Sequence, residues 1–576
     1  MINRLAIFKS QLSKFFQKYW LILAILLLGF LLRVYGIYFD YPYGVNFIWD
    51  EIFSVSYLLD IFEYKTLFTS MPYQYPLLLP LLYLPGLILR IIYIALIHGL
   101  TSINELKNYL VMSGMGQIYI IVRWYSVLFG TATIYLIYRI YSLIAKSKFS
   151  AYFSSLVYTI SFIPVFMAHW GKAHIIMTFF LVWSLYFVLK FEQEKKIKYW
   201  YWSVVMSACS WSIHYLGISA IIFPILSLVI NRKEFIWKII IKSILIYSVF
   251  ILTFYLINFR GLQGIWGNNA GYLLSTGFTG MYAIGQWERF YYVIRDSFLL
   301  DPIFISLFII MVSLNFKKII KDKLLRYILI GLLFNYFIMS TLVAWPKMSR
   351  WLLVFNSLAL PLGAFLLAEY LTAKNLKKVW LYFITIILLI PNIYFIGLWL
   401  NLLNNNTRLE TSQWLQKNLK KSEVAYSFDM YLDAPLSYDA ALWQRDNNHL
   451  ELSKKLQLII SHEKDFKDKG IDLRYDFGYN RYQNLAGPDT KYIIIFYALS
   501  GEEKGWFNYT TRKTAYEILD NIKKYHQLKL VKTYSPTDNQ KLINSGVEDY
   551  LNNPLSWSTL IHLNKSGSFY EIYQIL

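Results

Sequence analysis

The sequence contains a single cysteine, Cys209, among its 576 residues. No disulfide can form within the chain, so any part of it that lies outside the cell must fold without one. Neither an internal repeat nor a low-complexity linker is present. No small-residue cleavage site follows the first apolar segment, because Arg33-Val34-Tyr35 stand there. We therefore interpret that segment as a retained anchor and not as a signal peptide.

Acidic residues are scarce: 35 Asp and Glu stand against 56 Lys and Arg, which gives a net charge of +21. In a soluble chain this excess would suggest nucleic-acid binding. Here the basic residues gather in short loops between apolar segments, as the positive-inside rule of membrane proteins requires. We therefore expect a lipid bilayer and not a nucleic acid as the partner.

Hydrophobic residues, in contrast, make up 57% of the chain. A soluble domain is usually about 45–50% apolar. Several apolar runs approach the ~20 residues that a spanning helix needs, namely Trp20–Leu32, Ile236–Ile257, Leu324–Val343 and Val379–Leu400. The sequence therefore predicts an integral, multi-pass protein of the cell membrane.

The charges also predict a topology. Residues 1–18 hold four basic residues and no acid, which places the N-terminus in the cytoplasm. The apolar segment Tyr75–Ile97 is ambiguous. If it lies in the outer leaflet instead of spanning, the N-terminus and five later loops keep 23 basic residues on the inner side. Its prolines also suit a broken interfacial segment, so we favour the non-spanning interpretation.

The predicted fold class is mainly α: a polytopic transmembrane helical bundle followed by an extracytoplasmic α/β domain. Residues 1–400 form the transmembrane domain, with the first outer loop and juxtamembrane helices at about 38–117, and residues 401–576 form the α/β domain. About eleven spans are expected, at roughly 19–37, 118–138, 149–166, 173–190, 199–216, 217–231, 239–257, 299–316, 325–344, 351–370 and 379–400.

The tail after Leu400 has the signals of a soluble protein. Helices are predicted at about Leu409–Lys420 and Arg512–Tyr525. Strands are predicted at Val424–Phe428, Tyr492–Ala498, Leu528–Tyr534 and Phe569–Ile575.

Polar groups at the predicted outer ends of the helices are the candidates for chemistry. Asp50 and Glu51 head a segment with helical spacing, where one carboxylate could act as a general base. Taken alone, the position of Asp50 favours a helix cap over a catalytic role. Lys172 and His174 stand in the turn between two spans, where helix N-termini favour anions, although Trp and Lys also anchor helices at interfaces. His169 and His174, five positions apart in this turn, are weak evidence for a metal, because no clear third ligand accompanies them.

Three further clusters stand on the same predicted side. His214 and Tyr215 occupy the tight turn of the short hairpin. Arg350 enters a late span from outside, where it could hold a phosphodiester through paired N–H donors or reach lipid headgroups. Arg123 is an ionisable residue within a predicted span, and such residues are functional suspects.

The order of these motifs resembles the C-type membrane glycosyltransferases, within them the protein O-mannosyltransferase and aminoarabinose transferase group. The matching segments span nearly the whole chain. They are Asp50-Glu51, Tyr75-Pro76-Leu77, Arg123-Trp124-Tyr125-Ser126-Val127-Leu128-Phe129-Gly130, Ser349-Arg350-Trp351-Leu352-Leu353 with Leu360-Pro361, and Thr407-Arg408-Leu409-Glu410-Thr411-Ser412-Gln413-Trp414-Leu415.

The resemblance implies a polyprenyl-phosphate sugar as donor and an exported protein, lipid or glycan as hydroxyl acceptor. Asp50 matches the family's catalytic carboxylate, assisted by Glu51. Arg123, Lys172 and Arg350 would lie near the donor phosphate, and His174, His214 and Tyr215 near substrate. Two positions depart from the pattern: many relatives carry Asp at the position of His174, and a Lys-Tyr pair where His214-Tyr215 stand.

Two other classes of membrane protein, a transporter and an oligosaccharide ligase or polymerase, are alternatives to a glycosyltransferase. A transporter would need polar residues or broken helices near the bilayer midplane, often in two related halves, and the sequence indicates neither. An oligosaccharide ligase or polymerase of cell-surface glycans would share the donor and the outer-face site, so it stays an alternative. No cofactor is predicted, and the sugar, the acceptor and any metal dependence are left open.

The topology can be tested with two introduced cysteines. Ser102→Cys and Ser500→Cys should both react with an impermeant thiol reagent in intact cells, because both residues are predicted to lie outside. Labelling at residue 500 alone would mean that Tyr75–Ile97 spans the membrane.

Overall fold

The chain folds as a mainly helical protein with one small sheet near its C-terminus. The structure, a computed structural model, describes residues 19–39, 41, 55–59, 76–232, 235, 237–256, 288–341, 349–374, 377–429, 432, 434–448, 454–467, 469–475, 489–497, 512–539 and 557–576. Two compact units are present. The first comprises Met1–Tyr35, Asp60–Leu82 and Arg123–Ile396, and the second comprises Gly36–Leu59, Tyr83–Val122 and Gly397–Leu576.

Helices make up almost all of the described chain before residue 404. They are α1 (Tyr19–Val34), α2 (Leu78–Ile97), α3 (Ile103–Ser113), α4 (Gly116–Ile144), α5 (Lys148–Thr159), α6 (Phe162–Ala168), α7 (Ala173–Glu194), α8 (Ile197–Ile213), α9 (Ile222–Ile230), α10 (Trp237–Ile251), α11 (Glu288–Leu300), α12 (Pro302–Lys321), α13 (Lys323–Thr341), α14 (Ser349–Ala373) and α15 (Lys378–Leu403). A three-ten helix, Tyr215–Ile221, joins α8 to α9.

Eight helices among the described residues are long and apolar enough to cross a membrane, which makes the chain an integral membrane protein. Seven of them coincide with predicted spans. The predicted span at 149–166 is the pair α5 and α6, bent by 53°. The predicted spans at 19–37 and 217–231 are shorter apolar helices, Tyr19–Val34 and Leu216–Ile230. The total of about eleven spans stays a prediction.

The eighth long helix is α2, the segment interpreted above as broken and interfacial. It forms one continuous helix of 20 residues with Pro85 inside it, so the expectation of a broken segment is wrong. The physical reason lies partly in the position of Pro80, in the first turn, where a proline removes no intrahelical hydrogen bond. Its position outside the bilayer core stays a prediction.

The centre of the first unit is formed by α7 and α14. Of their apolar spans, 83% and 94% of the residues are buried inside the protein. Helix α14 packs against α5 and α12, and α7 packs against α8. A helix buried on all sides is apolar all round, and both sequences fit this rule.

Two buried charged residues hold the break between α5 and α6. Arg33 donates through Nη1 to the carbonyl oxygens of Gly29 (2.9 Å) and Thr159 (3.3 Å), at the C-terminal end of α5. The Oδ1 atom of Asp301 accepts from the backbone N–H of Phe162 (3.0 Å), at the N-terminal end of α6. A cation therefore lies at the negative end of one helix dipole and a carboxylate at the positive end of the next.

The space around Arg33 is provided by Gly130 of α4. A Cβ atom at Gly130 would lie 3.2 Å from Nε of Arg33 and 3.3 Å from its Cδ. Arg33 itself is 0% exposed. The glycine that ends the Arg123–Gly130 motif is therefore explained by the room that a buried arginine needs.

The second unit contains a five-stranded mixed sheet. Its strands are β1 (Val424–Ser427), β2 (Asp472–Tyr475), β3 (Thr490–Tyr497), β4 (Leu528–Tyr534) and β5 (Phe569–Ile575), in the order β2-β1-β3-β5-β4. Strands β1, β2 and β3 are parallel, whereas β5 is antiparallel to β3 and β4. The helices of this region are α16 (Thr407–Asn418), α17 (Tyr438–Asn448), α18 (Lys454–Ser461), α19 (Glu463–Phe466), α20 (Arg512–Lys523) and α21 (Trp557–Leu560).

The four predicted strands of this sheet and both predicted helices are present. Strand β2 was not predicted, because four residues that include Asp472 and Arg474 carry no apolar run. Helices α17 and α18 were also not predicted. The crossover between parallel strands usually requires a helix, and these two helices stand between β1 and β2.

A buried polar group joins α16 to the sheet. Arg408, Asp429 and Tyr570 are all at most 3% exposed. Nε of Arg408 lies 3.5 Å from Asp429 and donates to the Tyr570 hydroxyl at 3.2 Å, and that hydroxyl also donates to Asp429. Burial raises the pKa of Tyr570 well above its usual value, so the phenol stays protonated. The threonine-arginine helix of the sequence motif therefore has a structural role here.

The bond between Asp301 and α6 generates a stability prediction. Asp301→Ala would leave the Phe162 N–H and the Asn392 amide without their buried acceptor, since both donate to Oδ1 of Asp301. Each unsatisfied donor costs about 1–3 kcal/mol, so the thermal unfolding midpoint in detergent should fall by about 2–8 °C. Asp301→Asn keeps an acceptor oxygen and should lose less. Equal midpoints for the three proteins would contradict this role.

Candidate functional site

The turn at 169–174 lies between α6 and α7 and is buried throughout. His169 and Trp170 are 0% and 1% exposed. The ring nitrogens of His169 lie 2.9 Å and 2.8 Å from the carbonyl oxygens of Val165 and Tyr35, so this histidine ties the turn to the end of α1. Lys172 is the residue before α7, and its Nζ lies 5.2 Å from the centre of the Trp170 ring.

The N-terminal ends of α7 and α14 meet at this turn. His174 is the second residue of α7, and Trp351 is the third residue of α14. Their ring centres are 4.9 Å apart in an edge-to-face arrangement. Because each helix dipole is positive at its N-terminus, the meeting point of two such ends favours an anion.

Three aromatic rings form a cluster at this point, which we call the imidazole cluster: His174, His214 and Trp351. The ring of His174 lies 4.6 Å from that of His214, and His214 lies 6.0 Å from Trp351. The Nδ1 atom of His214 accepts from the backbone N–H of Leu216 at 3.2 Å, which fixes its ring. In contrast, both ring nitrogens of His174 and the Nε1 atom of Trp351 are buried and have no hydrogen-bond partner within the described part of the chain.

Cationic side chains surround the imidazole cluster. The charges of Lys172 and Arg350 both act on His174. The guanidinium carbon of Arg350 lies 4.9 Å from the centre of the Trp351 ring. On the other side of the turn, the charges of Arg33 and Arg123 act on His169. Paired guanidinium donors and an ammonium suit the oxygens of a phosphate group.

The structure thus brings together four of the eight residues that the sequence singled out. His174 and His214 are in contact, and Lys172 and Arg350 act on the same imidazole. Arg123 interacts with His169 instead. Asp50 and Glu51 lie outside the described residues, as does the side chain of Tyr215. The assigned roles of all these residues stay predictions.

Two residues of this site were not proposed from the sequence. Trp351 was predicted only as part of a motif, since an aromatic residue at a helix end is ordinarily an interfacial anchor. Arg33 was interpreted only as a residue that follows the first apolar segment. The general rule that ionisable residues in apolar segments are functional suspects would have found Arg33.

A metal site is a separate question. Within the described ranges, no group of three or more His, Cys, Asp and Glu side chains is placed to hold a metal ion.

Comparison with known families bears on the same residues. Residues 109–257 match the family described as dolichyl-phosphate-mannose-protein mannosyltransferase. This range contains Arg123, Lys172, His174 and His214. The resemblance to the C-type membrane glycosyltransferases, predicted from the motifs, is therefore confirmed. A search of curated protein sequences finds no significant match.

Solved structures of three membrane enzymes are similar to the chain. An oligosaccharyltransferase of Archaeoglobus fulgidus has a TM-score of 0.48 at 10% identity, over 96% of this chain and 88% of the other. ArnT of Cupriavidus metallidurans bound to undecaprenyl phosphate has a TM-score of 0.45 at 9% identity, over 90% and 96%. The protein O-mannosyltransferase Pmt1–Pmt2 of S. cerevisiae has 0.28 at 14% identity, over 42% and 32%.

The position of Arg350 leads to a binding prediction. If its guanidinium holds a lipid phosphate, Arg350→Lys should weaken the affinity of the purified protein for undecaprenyl phosphate about tenfold, because lysine keeps the charge and loses the two-pronged donor. The matched control is Arg232→Lys, a change at an exposed arginine. Unchanged affinity in the Arg350 variant would make this residue a simple interfacial anchor.

Proposed function

We propose that the protein is a membrane glycosyltransferase that moves a sugar from a polyprenyl-phosphate-linked donor to a hydroxyl acceptor at the outer face of the membrane. The observation that carries this proposal is the meeting of two helix N-termini with Lys172 and Arg350 around the imidazole cluster. A site of this kind suits a phosphate delivered from the bilayer. The acceptor is an exported protein, lipid or glycan.

The donor phosphate would be held by cations that approach it from separate elements. Lys172 precedes α7, Arg350 is the second residue of α14, and Arg123 lies on α4. The family match covers residues 109–257, a range that includes Arg123 and Lys172. His174, His214 and Tyr215 would contact substrate beside them.

The reaction would be a displacement at the anomeric carbon of the sugar. The acceptor hydroxyl oxygen forms a new bond to that carbon, and the bond from the carbon to the phosphate oxygen breaks. The lipid phosphate leaves with the bonding electrons, and the cations around it stabilise its increased negative charge. Such stabilisation accelerates the reaction because the charge is greater after the bond begins to break than before.

The proton of the acceptor hydroxyl needs a base, and we assign this role to Asp50. The assignment rests on the sequence: Asp50 stands beside Glu51 in the first predicted outer loop and matches the family's catalytic carboxylate. Glu51 would orient Asp50 or the donor. A carboxylate in a partly dry site can have its pKa raised toward the range that a general base needs.

Replacement of Asp50 tests this assignment. Asp50→Asn keeps the size of the side chain and removes its basicity, so turnover should fall by about 10²–10⁴-fold. The affinity for undecaprenyl phosphate should be unchanged, because the cations remain. The measurement is transfer of label from polyprenyl-phosphate mannose, glucose and arabinose in membranes, with a monodisperse elution peak as evidence of folding.

Glu51→Gln is the matched control. It should reduce turnover less than Asp50→Asn if Glu51 only orients its neighbour. Near-normal turnover in Asp50→Asn would overturn the assignment, and an inactive Glu51→Gln protein beside it would identify Glu51 as the base.

A further inference from the structure

The imidazole cluster holds three buried nitrogen atoms that have no hydrogen-bond partner among the residues the structure describes: Nδ1 and Nε2 of His174 and Nε1 of Trp351. His174 is 1% exposed and Trp351 is 7% exposed. Most buried polar atoms in folded proteins have a hydrogen-bond partner, because an unpaired one has lost its bonds to water without replacement. Three such atoms on adjacent rings therefore indicate the place of a ligand.

The hydrogen-bonding capacity of these rings indicates the kind of ligand. A neutral imidazole has one N–H donor and one acceptor nitrogen, and an indole has a donor only. The ligand must therefore supply two acceptors and one donor. An ionised phosphodiester has acceptors only, so it would leave one nitrogen of His174 unpaired. Hydroxyl groups both donate and accept, and two neighbouring hydroxyls would satisfy all three nitrogens.

The charges beside the cluster favour the neutral imidazole that this count assumes. Burial disfavours the charged form of the His174 ring, which is 1% exposed, and the positive charges of Arg350 and Lys172 disfavour it further. The same cations suit a phosphate, so a group that carries a phosphate and hydroxyls on adjacent atoms fits the whole arrangement.

We propose that His174 and Trp351 bind neighbouring hydroxyl groups of the donor's sugar ring, and that the donor sugar therefore carries free vicinal hydroxyls. This inference rests on the proposed function and deepens it. The phosphate stays with Lys172 and Arg350, and the sugar lies against the imidazole cluster. The imidazole cluster thus recognises the sugar of the donor, while Lys172 and Arg350 recognise its lipid-linked phosphate.

The test compares lipids with and without a sugar. The full-length protein is purified in detergent, and its affinity is measured for undecaprenyl phosphate and for undecaprenyl-phosphate mannose, glucose and arabinose. The wild-type protein should bind at least one sugar lipid about tenfold more tightly than undecaprenyl phosphate. His174→Phe keeps a planar ring and removes both nitrogens, so this preference should fall to about onefold while the affinity for undecaprenyl phosphate changes by less than about twofold.

Two further variants keep the test decisive if His174→Phe does not fold. His174→Gln retains a donor and an acceptor and should keep most of the preference. Trp351→Phe keeps an aromatic ring, although a smaller one, and removes the indole N–H donor, so it should lose part of the preference. His562→Phe, at an exposed histidine of the second unit, is the matched control and should change nothing.

The other outcomes separate this inference from the proposed function. Equal weakening of all four lipids by His174→Phe would show a phosphate ligand at His174 and overturn the inference. No change in any affinity would overturn it as well, and so would a wild-type protein that prefers no sugar lipid over undecaprenyl phosphate. A wild-type protein that binds none of the four lipids would instead overturn the proposed function.

Discussion

The hydrocarbon of a bilayer supplies no hydrogen bonds, so every backbone polar group in it must find a partner within the protein. The rest of the first unit depends on how this requirement is satisfied at the break between α5 and α6. A broken helix exposes carbonyl groups at one end and N–H groups at the other. Arg33 donates to the carbonyl oxygen of Thr159, and Asp301 accepts from the N–H of Phe162. Because both residues are wholly buried, the break is held from two sides, and the turn that follows α6 has a defined position.

The candidate site is a consequence of that position. The turn at 169–174 begins α7, and the N-terminus of α14 reaches the same place, so that two positive helix ends and several cations stand together. Positive helix ends and cationic side chains favour an anion, and this arrangement supports the proposal of a phosphate site here. The ring nitrogens of His174 and Trp351, which have no hydrogen-bond partner among the described residues, support the proposed sugar site beside it.

Local patterns predicted much of the fold, and their failures have physical causes. Seven of the long helices and four of the five strands follow from apolar runs and their period. Strand β2 was not predicted because it is short and charged. Its hydrogen bonds to β1 stabilise a strand that its own sequence does not indicate. The continuity of α2 was not predicted from its prolines, because the position of each proline, and not the number of prolines, decides its effect on a helix.

Composition, charge asymmetry and short motifs are properties of the chain alone, and they were sufficient to predict a lipid environment, a mainly helical fold and the candidate residues for chemistry. The contacts of His174 with His214 and Trp351, residues far apart along the chain, are visible only in the folded protein. The same is true of Arg33 at the helix break and of the space that Gly130 leaves for it. Hydrogen bonds and ring contacts depend on distances between helices, and those distances follow from packing that no single segment encodes.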